Sequence, residues 1–153
     1  MLCIPFVVSC DNNDDYGNWF LYANRKDNIN FKGANQSVVQ NALQGTWWLK
    51  KQGDREYAEG ELGYITIKNN KIIFHGGSLV LRSEEPEWHD ILWHEFKTTD
   101  GKKMHSFFPK YEGIELMNYI AYVPCRIEDN VLIMGYEIEG EVHEGDRYVL
   151  LTE

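Results

Sequence analysis

From residue 46 onward, apolar and polar positions alternate in short segments bounded by turn residues, the period of half-buried β-strands. Thr46 to Lys51 opens the series. Leu62 to Lys68 and Lys71 to His75 flank Asn69-Asn70, a two-residue turn in which Asn accepts positive φ, and so predict a hairpin. Gly76-Gly77 bends the chain into Leu79 to Arg82. Asp90 to Lys97 turns at Asp100-Gly101 into Lys103 to Phe108. Asn118 to Glu128 turns at Asp129-Asn130 into Val131 to Ile138, and Arg147 to Thr152 ends the series. About eight or nine strands with hairpin connections and no helix between them predict an all-β, antiparallel fold, an up-and-down barrel or a sandwich. Closing the sheet would remove the edges that an open meander offers to aggregation.

One helical segment precedes the strands. Ser37-Val38-Val39-Gln40 has the form of a capping box, with Val38, Val39, Ala42 and Leu43 on one face and Gly45 as terminator. Upstream, residues 11 to 34 mix Asn, Asp, Gly and Lys with scattered rings and carry no period, which predicts a solvated tether. Trp19-Phe20-Leu21-Tyr22 is the discordant apolar knot within it.

The first ten residues differ again. Leu2 to Val8 is an apolar run too short to span a bilayer, of the length of a signal-peptide core, without the basic residues that normally precede one. Val7-Val8-Ser9-Cys10 resembles a bacterial lipobox, in which a small residue precedes the cysteine that is acylated and becomes the mature N-terminus. That resemblance implies a truncated signal peptide over 1–9, lipid attachment at Cys10, a tether over 10–35 and a folded domain over 36–153. The membrane is then a partner through the acyl chains, each buried methylene contributing about 0.8 kcal/mol. The following Asp11-Asn12-Asn13-Asp14-Asp15 has calcium-loop alternation, but Tyr16 and Tyr22 stand where Gly and a bidentate Glu are needed. An acidic cluster just after the cysteine instead resembles the export signal of surface lipoproteins in Bacteroidetes, which implies the cell envelope and an outer-membrane anchor.

Composition narrows the rest. A net charge of -9 over 153 residues leaves no basic stripe for phosphates, which argues against nucleic acid and against electrostatic docking on anionic lipid. Cys3 falls within the leader and Cys10 sits at its end; with the leader cut and Cys10 acylated, Cys125 is left without a partner for an internal disulfide. Aromatic residues make up 14% of the chain and fall mostly in the alternating segments, as expected of sheets lined with rings.

Gly45-Thr46-Trp47, opening the first strand directly after a short helix, resembles the lipocalin family and the lipocalin-like domains of bacterial lipoproteins. The resemblance covers about residues 36 to 153 and implies a lipocalin-like barrel. It implies that Trp47 plugs the closed end, with Arg147 of the last strand packed over its ring, a contact worth roughly 0.5–2 kcal/mol. Two features depart from the family: Thr99-Asp100-Gly101 reads as a plain turn, and no helix follows to pack outside the barrel.

Candidate chemistry is sparse. His75, His89, His94, His105 and His143 include no His-x-His pair, and neither a metal site nor a cofactor is expected. Glu137, Glu139 and Glu141 alternate, as paired carboxylates acting on glycosides would, but Gly140 marks a turn among them. Cys125, between Pro124 and Arg126, reads as a partly buried, inert thiol. Tyr64, Trp93, Tyr122 and Tyr136 lie in strands whose two faces both carry apolar groups, so they either pack a solid core or line a ligand cavity. The leading expectation is a lipid-anchored, non-enzymatic lipoprotein binding a small apolar or amphipathic ligand. The alternative is a protein-interaction or inhibitor module without a cavity; a glycan-directed enzyme has only the acidic strand in its favour.

Overall fold

The computed structural model describes residues 25–76, 86–111 and 122–152. Among the described residues it is antiparallel β with one short helix. In chain order the elements are β1 (Ile29–Asn30), α1 (Gln36–Leu43), β2 (Gly45–Gln52), β3 (Arg55–Glu56), β4 (Tyr64–Lys68) and β5 (Lys71–His75). There follow β6 (His89–Lys97), β7 (Lys103–Pro109), β8 (Val123–Glu128), β9 (Val131–Ile138) and β10 (Glu141–Leu150). They form one curled sheet in the order β1-β8-β9-β10-β2-β4-β5-β6-β7, with the short β3 beside β2.

Local turn chemistry sets the hairpins. Asn69 and Asn70 take φ of 50° and 65°, and Asp129 and Asn130 take 52° and 64°, the left-handed pair whose twist matches flanking strands. Glu139 and Gly140, at 52° and 83°, make a third such turn. Because of it the last strand starts at Glu141, six residues before the expected Arg147. The expected strand over Leu79 to Arg82, the Trp19–Tyr22 knot and the start of the Asn118 strand lie outside the described residues.

Sheet order is not a simple meander, because the first long strand pairs with the last. Trp47 faces Leu150, Trp48 faces Val149 and Leu49 faces Tyr148. Among the described residues this leaves edges at β7 and at the β8 side of the sheet. The segment after β1 spans them: Phe31 N–H donates to Cys125 O on β8 at 2.9 Å, and Gly33 N–H donates to Lys103 O on β7 at 2.8 Å. Ile29 pairs with Ile127, and Phe31 is 1% exposed within the core. The tether expected over 10–35 is thus corrected at its C-terminal end, where a three-residue apolar alternation finds its partners in strands about a hundred residues away.

The helix also differs in its start. Its N-cap is Asn35, with no side-chain capping bond, and Ser37 and Gln40 lie inside the helix rather than forming a capping box. Asn35 Oδ1 instead accepts from Lys103 Nζ, a tertiary contact that takes the side chain away from the helix end. Val39 and Leu43 are buried against the sheet, while Val38 is 39% exposed.

Candidate functional site

The curled sheet turns one row of alternating side chains inward. Trp47 of β2, Ile65 and Ile67 of β4, Ile72 and Phe74 of β5, Leu132 and Met134 of β9 and Tyr148 of β10 all share this side. With Phe107, Phe108, Pro109 and Tyr122 they line a half-open apolar cavity of about 230 Å³. Trp47 lies at its wall almost fully buried, and its indole N–H donates to Leu43 O at 2.8 Å. One side chain therefore satisfies a carbonyl at the end of α1 and presents a ring to the cavity.

The polar groups that line this site are the phenols of Tyr148 on β10 and Tyr122 just before β8; Asp146, two residues before Tyr148, does not line it. Asp146 accepts from the Gln52 side-chain amide at 3.2 Å. Burial raises its pKa, and the Gln52 hydrogen bond only partly opposes that. Burial likewise pushes up the phenol of Tyr148, with the charges of Asp146 and Tyr122 adding to the effect. Tyr122 is raised by burial and then by the charge of Asp146. Register shifts bracket this region, between Ile133 and Gly135 on β9 and between Arg147 and Tyr148 against β2. Such bulges re-aim side chains where a strand bends.

Of the four rings singled out from the sequence, Tyr122 lines the cavity. Tyr64 does not. Its neighbour Ile65 points inward, and Tyr64 stacks on His75 with ring centroids 5.8 Å apart on the opposite face. Trp93 packs at the margin of the core, its indole N–H bonded to Asn70 Oδ1 at 2.7 Å, while its cross-strand partner Phe107 reaches the cavity. Tyr136 is 46% exposed and stacks on His143 at 5.7 Å, beyond the β9 irregularity. Tyr148 and Asp146 went unnoticed, although Asp146-Arg147-Tyr148-Val149-Leu150 alternates and ends on a buried Leu. Trp47 and Arg147 are not opposite each other in the ladder: Arg147 faces Lys51, and Trp47 faces Leu150. A cation–π contact forms elsewhere, with Arg55 5.1 Å from the Tyr57 ring centroid. Cys10 lies outside the described residues.

A second hollow of about 340 Å³ lies between the β6–β7 turn and strands β8 to β10, and it is polar. Lys32 Nζ sits 2.5 Å from Asp100, whose pKa that contact and the Thr98 hydroxyl hold down at about 2. Arg126 pairs with Glu144. Cys125 lines this hollow, and burial pushes its thiol up to about 11, so it stays protonated and unreactive. The cations lining the hollow are each met by a carboxylate, which leaves little charge directed at a ligand.

Other chemistry is dispersed. The Glu139-Gly140 turn splits the acidic run, and Glu137 accepts from Gly140 N–H at 2.5 Å, so the three carboxylates do not share a face. Among the described residues no three His, Cys, Asp or Glu converge as metal ligands, and no helix is long and apolar enough to cross a membrane. No protein-family model matches the chain, and no curated protein or solved structure matches it.

Proposed function

We propose that this chain is a lipid-anchored lipoprotein of the cell envelope whose curled sheet closes as a lipocalin-like barrel around a small apolar or amphipathic ligand. The observation that carries the ligand reading is the 230 Å³ cavity, with the rings of Trp47, Phe74, Phe107, Phe108, Tyr122 and Tyr148 on its wall. Cavities of drug-binding proteins run to about 300–1,000 Å³. An apolar cavity of about 150 Å³ already accepts benzene. The size therefore suits one ring with a short chain rather than a long acyl chain. Closure as a barrel is supported by the Phe31 and Gly33 hydrogen bonds, which reach from β8 to β7. The anchor is supported by Val7-Val8-Ser9-Cys10 and the acidic cluster that follows, which together favour the outer membrane and its surface.

Thermal denaturation against a panel of single-ring and short-chain hydrophobes tests the ligand reading. A ligand at a hundred times its Kd stabilises by about 2.7 kcal/mol. For a domain of this size that raises Tm by roughly 5–10 °C. A panel with no shift, together with no small molecule retained in native mass spectrometry, would leave the interaction or inhibitor module as the better reading. Tyr136 and Ile138, 46% and 50% exposed on the outer arm of β9, are the apolar surface in its favour. The anchor has its own readout: a palmitate analogue should label the wild type in cells and not Cys10→Ala, and equal labelling of both would remove it.

A further inference from the structure

Charged side chains are divided unevenly between the two hollows of the molecule. Lys32, Asp100, Arg126, Glu141 and Glu144 all line the polar one. Among the described residues that line the apolar cavity there is no Asp, Glu, Lys, Arg or His. Its hydrogen-bonding side chains come down to the phenols of Tyr122 and Tyr148, because the Trp47 indole N–H is already given to Leu43 O at 2.8 Å. Apart from the Met134 thioether, every other lining side chain is aliphatic or aromatic.

An ion entering such a cavity gives up its hydration and meets no counter-charge, which costs more than its hydrocarbon part recovers. An ion held at the open side keeps its water but draws its hydrocarbon part outward, so less apolar area is buried. Either way, charge on the ligand lowers affinity. Resting on the ligand reading above, we infer that the cavity selects an uncharged ligand, a single aromatic ring with a short substituent and at most one neutral oxygen. Carboxylate and alkylammonium amphiphiles of the same size are discriminated against alike. The ring lies among Trp47, Phe74 and Phe107, where edge-to-face contacts and the Met134 sulfur favour an aromatic body over an aliphatic one. A lone hydroxyl on the ligand finds its partner in a phenol or in water at the open side.

Four ligands of nearly one shape provide the test: ethylbenzene, phenethyl alcohol, phenethylamine and phenylacetate. Each is titrated calorimetrically into the full chain at neutral pH and about 0.15 M salt, where the long-range field of a net charge of -9 is screened beyond about 8 Å. Both uncharged ligands should bind at least about tenfold more tightly than either ion. In Ile65→Phe, which fills the cavity from its wall, the uncharged ligands should weaken by at least about tenfold. Either ion binding as tightly as the uncharged pair would overturn the inference while leaving a ligand cavity in place. Undiminished binding of the uncharged pair to a folded Ile65→Phe would put them outside this cavity and overturn it as well. None of the four binding would count against the ligand reading itself. If Ile65→Phe fails to fold, the wild-type ranking still decides the question.

Discussion

His75 shows how one buried polar side chain ties stability to pH. It is 4% exposed, and its Nε2 lies 2.9 Å from Thr66 Oγ1, which in turn lies 2.9 Å from Thr46 Oγ1. Burial lowers its pKa from 6.5 to about 4. The unfolded chain therefore takes up a proton below pH 6.5 that the folded chain refuses until about pH 4. The stabilising contribution is complete above 6.5 and falls away toward 4, by about 3 kcal/mol at most. Urea denaturation across that window should show a shallower loss for His75→Gln than for the wild type. Parallel losses in the two proteins would assign the pH dependence to other groups. Tyr64 belongs to this outer cluster through its stack on His75, which is why it is absent from the cavity.

At the level of elements, the strap formed by β1 and Phe31 contributes more than its two-residue strand suggests. Phe31 is buried with Val39, Leu43 and Ile127, and its neighbours bond to both edges of the curled sheet. Phe31→Ala should cost about 3–5 kcal/mol, a cavity in the core plus lost apolar transfer. Lys32→Ala, which breaks an exposed pair with Asp100, should cost less than about 1 kcal/mol. Equilibrium denaturation of both variants separates the two, and similar small losses would show that the strap is peripheral. The helix start is a second case at this scale. Ser37 and Gln40 carry a capping signature, but Asn35 and Lys103 bond across elements and the chain enters the helix earlier. Gly63 is a third: at φ +98° an added Cβ would stand 2.1 Å from Gly76 O, so two loop backbones approach where only glycine fits.

Across the whole molecule, the sheet curls because β2 meets β10, joining residues about a hundred positions apart in sequence. Strand positions and hairpin turns were legible beforehand, since alternation and left-handed Asn and Asp act within a few residues: β5 and β9 begin and end where the pattern places them. The class, antiparallel β behind one short helix, followed from these local signals. What the pattern could not supply was the sign of each alternation. Tyr64-Ile65-Thr66-Ile67 is apolar on both faces, and shifting the pairing by one residue would exchange its cavity wall for its outer face. Only pairing across the sheet, with Trp47 beside Ile65 and Leu150, placed Ile65 inside and Tyr64 outside. The irregularity between β9 and β10 breaks the alternation between Ile133 and Gly135 and between Arg147 and Glu144, which a sequence pattern does not reveal. Sequence alone thus determined most of the strands and their hairpin turns, because those depend on neighbouring residues. Tertiary structure decided which rings meet and that Phe31 belongs to the core, because both depend on contacts between distant strands.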